Sequence, residues 1–256
     1  MLEIMKTLYH LIGILFVSIL VNCTKEGTSM NGAATTGAGG STARFTIAGN
    51  YLYIVDNLSL KTFDISTNNS PVYKSRTEIG INIETIFPYQ DKLFIGSSST
   101  MYIYSLADPS KPEPLGKAEY TIRMSCDPVV AKDSVAYATL RASGPCGGGQ
   151  SALVVYNIKN PTAPQLMNTV PLFGPYGLGI KNNSLYVCEA SQGLEVYNVT
   201  NAYQPVYVST INVPNTSFYD VIPYGNILIA QVNDGFILYD IGTNPMQPAL
   251  LSRILN

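Results

Sequence analysis

Residues 185–211 read LYVCEASQGLEVYNVTNAYQPVYVSTI, and this stretch contains the unit that decides the fold. An apolar run at 185–188 leads to an aromatic–polar–aliphatic ending at 197–199, a turn containing Asn and Pro, and a second apolar run at 206–211. Both runs are short, rich in Val, Tyr, Ile and Thr, and bounded by Gly, Asn or Pro. Such runs favour β-strands, because a helix would repeat its apolar residues every three or four positions.

The same unit recurs along the chain. The aromatic–polar–aliphatic ending occurs five times, as Phe63-Asp64-Ile65, Tyr104-Ser105-Leu106, Tyr156-Asn157-Ile158, Tyr197-Asn198-Val199 and Tyr239-Asp240-Ile241. From Asp64 onwards the middle residues are 41, 52, 41 and 42 positions apart. A period near 42 that contains four short strands is typical of a β-propeller blade, which buries its faces only by stacking on neighbouring blades.

The sequence therefore predicts an all-β fold, a five-bladed β-propeller of four-stranded antiparallel blades. The repeats are expected at about 43–80, 81–121, 122–173, 174–215 and 216–256. In the last blade the strands A to D, counted from channel to rim, are predicted at 219–223, 227–232, 235–241 and 249–254. The first blade begins with its own inner strand near Phe45, so the repeats are in phase and no spare strand latches the ring.

The N-terminal segment has the features of an export signal. Lys6 precedes a largely apolar run from Leu8 to Val21, which is short for a membrane span. The segment Leu20-Val21-Asn22-Cys23 resembles a bacterial lipobox, although Asn22 replaces the usual small residue. The resemblance implies a signal peptide at 1–22 and acyl chains, such as palmitate, on Cys23. The alternatives are a signal peptide cut elsewhere and an uncleaved anchor.

Residues 23–42 are rich in Gly, Ser, Thr and Ala, and we expect them to form a flexible tether. The protein is thus expected in the bacterial cell envelope, held by lipid at the outer membrane on its periplasmic or surface side.

Composition excludes several functions. The net charge of −2 offers no basic surplus for phosphates, so no nucleic-acid partner is expected. His10 is the one histidine, and it lies in the predicted signal. Catalysis by Ser-His-Asp or Cys-His groups and His-ligated metal sites are therefore not expected. We predict no enzyme and no cofactor, and we leave a calcium ion open.

The cysteines indicate an oxidising compartment. Setting Cys23 aside leaves three cysteines and three possible pairings. The longest repeat spacing places an insertion in the B–C turn of the third blade, and this insertion carries Cys146. Because D–A and B–C loops emerge on the same propeller face, we predict a disulfide between Cys146 and Cys126. Cys188 lies within a strand and is predicted to be a small buried core residue.

A candidate ligand-binding face lies where the inner strands begin. Polar side chains gather there at Glu84, Arg123, Asp127, Tyr176, Tyr219 and Asp220. Carboxylates and tyrosines around a channel mouth could bind a cation, a sugar or a peptide. The alternative is that these polar side chains are solvated and bind no ligand. The recurring Asp and Asn of the aromatic–polar–aliphatic element are instead predicted to hydrogen-bond to the following turn.

The repeat resembles the LVIVD-repeat proteins, a bacterial family named for a Leu-Val-Ile-Val-Asp core. Leu52-Tyr53-Ile54-Val55-Asp56 is the nearest match to that core, and the resemblance extends over about 43–256. The stretches 125–130 and 145–149 also resemble a sub-group of exported lipoproteins. The family implies a fold and a location, and it implies no catalytic residues.

Two functions compete on this evidence. The first is a non-enzymatic, membrane-anchored binding or scaffold lipoprotein, with a protein, peptide or carbohydrate ligand. The second is a carbohydrate- or lactone-active propeller enzyme that would act through carboxylates. A deep pocket with converging carboxylates would favour the enzyme, and a broad face rich in tyrosine would favour a binding partner.

Overall fold

The computed structural model describes residues 40–67, 70–120, 128–142 and 146–255. These residues form five four-stranded antiparallel sheets, each built from four consecutive strands. The predicted five-bladed β-propeller is therefore confirmed, and each blade keeps its own inner and outer strand. Within the described residues no helix has the length and apolar character needed to span a membrane.

The strands run in order from the channel to the rim of each blade. Blade 1 contains β1 (Phe45–Ala48), β2 (Tyr51–Val55), β3 (Ser59–Asp64) and β4 (Val72–Glu78). Blade 2 contains β5 (Ile83–Tyr89), β6 (Lys92–Ser97), β7 (Thr100–Ser105) and β8 (Glu113–Glu119). Blade 3 contains β9 (Val129–Lys132), β10 (Val135–Leu140), β11 (Ala152–Asn157) and β12 (Gln165–Pro171). Blade 4 contains β13 (Leu178–Lys181), β14 (Ser184–Cys188), β15 (Leu194–Asn198) and β16 (Val206–Ile211). Blade 5 contains β17 (Phe218–Tyr224), β18 (Ile227–Val232), β19 (Gly235–Asp240) and β20 (Ala249–Leu255).

Local turn chemistry is the same in every blade. The turn between the two inner strands uses a residue with positive φ, at Gly49, Gln90, Asp133, Asn182 and Gly225. Tight two-residue hairpins need that conformation, because it matches the twist of the flanking strands.

The polar residue of the aromatic–polar–aliphatic element accepts a hydrogen bond from the backbone N–H two residues later, at Asp64, Ser105, Asn157, Asn198 and Asp240. The predicted structural role of this element is confirmed.

Four hydrophobic cores join successive blades. They lie between blades 1 and 2, 2 and 3, 3 and 4, and 4 and 5. Cys188 lies in the last of these cores as a fully buried free thiol, as its strand position predicts. Burial raises the pKa of this thiol, which keeps it protonated and unreactive.

A tyrosine on the second strand of three blades reaches the next blade. The hydroxyls of Tyr53, Tyr137 and Tyr186 donate to the backbone carbonyls of Pro109, Ala202 and Pro245, at 2.8, 2.7 and 2.6 Å. Each acceptor lies in the turn before the outer strand of the following blade. A buried tyrosine hydroxyl needs a partner, so this bond fixes how far one blade slides along the next.

The two ends of the propeller meet through hydrogen bonds. The described residues form no hydrophobic cluster between blade 5 and blade 1. Instead, the hydroxyls of Ser41 and Thr42, just before blade 1, donate to the Asp220 carboxylate of blade 5 at 3.1 and 2.6 Å. Ser41 Oγ also accepts from the N–H of Leu178 in blade 4, at 2.7 Å. The segment before β1 is thus anchored to blades 4 and 5 by polar contacts.

Candidate functional site

A pocket of about 360 Å³ lies where the inner strands of blades 2 to 5 begin. We call it the mouth pocket. It is lined by Thr42, Glu84, Thr85, Pro128, Arg141, Pro175, Tyr176, Tyr219 and Gln231. Three of the residues predicted for the ligand-binding face, Glu84, Tyr176 and Tyr219, therefore line one pocket.

Arg141 forms the centre of the mouth pocket together with two tyrosines. Its guanidinium carbon lies 3.9 Å from the ring centroid of Tyr176, and one terminal nitrogen donates to the Tyr176 hydroxyl at 2.9 Å. The Tyr219 ring meets the Tyr176 ring edge to face, with centroids 5.1 Å apart. The cation therefore lies over an aromatic face and also donates a hydrogen bond, an arrangement that favours arginine over lysine.

Arg141 forms no ion pair with a described residue, although Glu84 lines the same pocket. None of the ion pairs between described residues includes Arg141. Its Nε atom is buried and has no hydrogen-bond partner. A guanidinium with unused donors inside a pocket is suited to an anion with two oxygens, such as a carboxylate.

Backbone contacts hold the two tyrosines in place. The N–H of Tyr176 donates to the Cys188 carbonyl at 2.8 Å, and its own carbonyl accepts from Thr139 Oγ1 at 2.6 Å. The N–H of Gly177 donates to the Tyr219 carbonyl at 2.8 Å. A β-carbon at Gly177 would lie 2.1 Å from an Asp220 oxygen, so only glycine allows this approach.

Asp220 has a different place from the one expected of a ligand-binding residue. Its side chain is 6% exposed and does not line the mouth pocket. Its oxygens accept from Ser41 Oγ, Thr42 Oγ1, Thr42 N and Val221 N. Burial raises the pKa of this carboxyl, and these hydrogen bonds oppose the rise. Asp220 is therefore part of the connection between the ends of the propeller, where it accepts hydrogen bonds from Thr42.

Other predicted residues fall outside the part of the chain that the structure describes. These are Cys23, Arg123, Cys126 and Asp127. Cys146 is buried. Its predicted partner Cys126 lies outside the described residues, so the disulfide stays a prediction. Among the described residues no group of three or more Asp, Glu, Cys or His side chains could hold a metal ion.

Sequence reasoning missed Arg141, Thr42 and Gln231. Arg141 directly follows β10, at the start of the turn that carries the predicted insertion. A lone basic residue beside that insertion is the signal that could have identified it. Thr42 and Gln231 carried no comparable signal, because their positions at the pocket depend on how the ends of the propeller meet.

A buried carboxylate supports the loop that leads into Tyr176. Glu189 is 1% exposed, and its Oε2 accepts from the N–H groups of Phe173 and Gly174 at 3.1 and 2.9 Å. Its Oε1 is buried without a hydrogen-bond partner. Burial raises the pKa of Glu189 to about 6, and the nearby Glu195 carboxylate adds to the rise.

Replacing Glu189 with glutamine should remove a pH dependence of stability. The folded protein binds this proton more tightly than the unfolded chain, so the stabilisation is complete below pH 4.5 and is lost as the pH rises through about 6. Between pH 4 and pH 7 we expect the free energy of unfolding of Glu189→Gln to rise by about 2 kcal/mol relative to the wild type. Urea unfolding at several pH values measures the difference. Glu113→Gln, on the exposed rim, is the matched control, and equal pH profiles for Glu189→Gln and the wild type would contradict the prediction.

Comparisons with known proteins support the fold. Residues 39–78 match the LVIVD repeat, which supports the repeat family for this part of the chain. No curated protein matches the chain.

Several solved structures have the same fold. The periplasmic gluconolactonase of Pseudomonas aeruginosa is 15% identical, with a TM-score of 0.63 over 81% of this chain and 68% of that one. A protein from Lactobacillus plantarum is 10% identical, with a TM-score of 0.63 over 80% and 68%. The computationally designed Ika8 protein is 12% identical, with a TM-score of 0.57 over 82% of this chain, which spans 60% of that protein. At these identities the likeness concerns the fold alone.

Proposed function

We propose that the protein is a non-enzymatic binding protein of the bacterial cell envelope, anchored by lipid at Cys23, whose mouth pocket binds a small carboxylate-bearing sugar. The observation that carries this proposal is the guanidinium of Arg141, which lies over Tyr176 in a pocket of about 360 Å³ and forms no ion pair with a described residue. A charge in a partly buried site is costly unless a counter-charge meets it, so an anionic ligand gains more here than a neutral one.

The remaining lining favours a sugar acid over a simple anion. The Tyr176 and Tyr219 rings offer apolar surface against which the C–H groups of a sugar ring can pack. The side chains of Thr42 and Gln231 supply polar groups suited to sugar hydroxyls. The positive charge of Arg141 disfavours the cation that the sequence left open for this face.

Binding can be tested with matched pairs of sugars. We expect D-galacturonate or D-glucuronate to raise the melting temperature of the purified full-length protein, whereas D-galactose and D-glucose do not. Gluconate extends the acidic set, and a peptide with a free C-terminal carboxylate tests the alternative ligand class. A protein stabilised equally by neutral and acidic sugars, or by the peptide alone, would contradict the proposed ligand. Turnover of gluconolactone in the same preparation would favour the enzymatic alternative.

Anchoring is tested separately at Cys23. The apolar run that ends at Leu20-Val21-Asn22-Cys23, followed by the Gly- and Ser-rich stretch, supports lipidation there. Cells given a labelled fatty acid should label the wild type and leave Cys23→Ala unlabelled, with the variant lost from the membrane fraction. Cys188→Ala is the matched control, since its thiol is buried in the core. Equal labelling of Cys23→Ala and the wild type would refute the anchor without affecting the proposed ligand.

A further inference from the structure

Blade 5 has one apolar face that no described blade covers. Phe236 is 45% exposed. Measured from the aromatic of the repeat element, the equivalent residues of blades 1 to 4 are Leu60, Met101, Leu153 and Leu194, and all of them are 0% exposed. In each of those blades this position packs into the core shared with the next blade. Phe236 therefore points to where a following blade would pack.

Two neighbours of Phe236 show the same difference. Ile229 and Leu238 are half-buried. The residues equivalent to Ile229 are buried at Tyr53, Phe94, Tyr137 and Tyr186, and those equivalent to Leu238 are buried at Thr62, Ile103, Val155 and Val196. We call Ile229, Phe236 and Leu238 the trailing face of blade 5.

Blade 1 has the complementary feature on its opposite side. Phe45 is 60% exposed, and Leu52, Ile54 and Phe63 are half-buried. The residues equivalent to Leu52, Ile54 and Phe63 in blade 4 are Leu185, Val187 and Tyr197, which are buried in the core shared with blade 3. We call Phe45, Leu52, Ile54 and Phe63 the leading face of blade 1. Terminal repeats normally carry polar outer faces, so two apolar ones mark an interaction surface.

We infer that the trailing face of one copy of this chain packs against the leading face of a second copy. Within the chain, four trailing faces are already covered by the leading faces of the next blades, through cores built from the same repeat positions. A leading face is therefore the surface that fits a trailing face, and a second copy provides one. Among the described residues, the leading and trailing faces of one chain do not cover each other, although Thr42 hydrogen-bonds to Asp220.

This contact is head to tail, because it joins two different surfaces. Such an interface leaves one trailing and one leading face free in a dimer, so further copies can add until a ring closes or a filament forms. Head-to-tail association has a consequence that a symmetric dimer lacks. Blocking either face in every copy abolishes assembly, while mixing the two blocked forms restores a single contact.

The test measures the mass of the full-length protein in detergent by light scattering, over a range of concentrations. We expect the wild type to self-associate, and Phe236→Lys and Phe45→Lys each to fall to the mass of one chain. Val206→Lys is the matched control, since Val206 is also 60% exposed but lies on the rim strand of blade 4, and it should keep the wild-type mass. Circular dichroism spectra that match the wild type establish that the variants are folded.

An equimolar mixture of Phe45→Lys and Phe236→Lys should then form dimers and nothing larger. A wild type that has the mass of one chain at every concentration overturns the inference. The faces would then be covered by another protein or by the chain itself. Self-association that neither variant reduces, or a mixture that stays at one chain, overturns it as well.

Discussion

Replacing Arg141 with methionine should weaken binding of the acidic sugar that the wild type binds best by about 100-fold, or about 2.7 kcal/mol. Methionine fills similar space against the Tyr176 ring but removes the charge and every donor of the guanidinium. Losing one partner of a charged, hydrogen-bonded pair in a partly desolvated site costs about 2 to 5 kcal/mol. Titration calorimetry on the purified full-length protein measures the change.

Two controls separate charge from geometry at this position. Arg141→Lys keeps a positive charge but loses the planar fork, so we expect a loss of about 10-fold. Arg253→Met removes an arginine from the exposed outer strand of blade 5 and should leave affinity unchanged. Unaltered affinity in Arg141→Met, with the wild type binding normally, would place the ligand elsewhere on the protein.

Replacing Asp220 with alanine should lower the free energy of unfolding by about 3 kcal/mol near pH 4. The substitution removes the acceptor of the Ser41 and Thr42 hydroxyls and of the Thr42 N–H. It also removes the link between the segment before β1 and blade 5, where the described residues form no hydrophobic core.

The loss should become smaller as the pH rises. The pKa of Asp220 is raised by burial, so the folded protein binds this proton more tightly and the stabilisation is lost as the pH rises through the folded-state pKa. Urea unfolding at pH 4 and pH 8 measures both values, with the exposed Asp234→Ala as control. A variant as stable as the wild type at pH 4 would show that these contacts do not hold the ends of the propeller together.

The sequence by itself determined the blades, because their signals are local and repeated five times. Turns and strand alternation depend on residues a few positions apart. Asp240, for example, accepts from the N–H of Gly242, and Leu228 and Ala230 alternate with Ile227 and Ile229. The period of the repeat then fixed the number of blades, and its phase placed a complete set of four strands at each end.

Only the tertiary structure decided which polar residues are available to a ligand. Asp220 and Tyr219 are neighbours in the chain and looked alike as members of one polar face. Asp220 accepts a hydrogen bond from Ser41, 179 residues away along the chain, whereas Tyr219 lies against Tyr176 in the mouth pocket. Likewise, Phe236 and Leu194 occupy the same repeat position. Leu194 is buried because the next blade packs on it, whereas no described blade packs on Phe236, which is exposed. Burial and partnership at these sites depend on chain segments far apart in sequence, which local pattern does not encode.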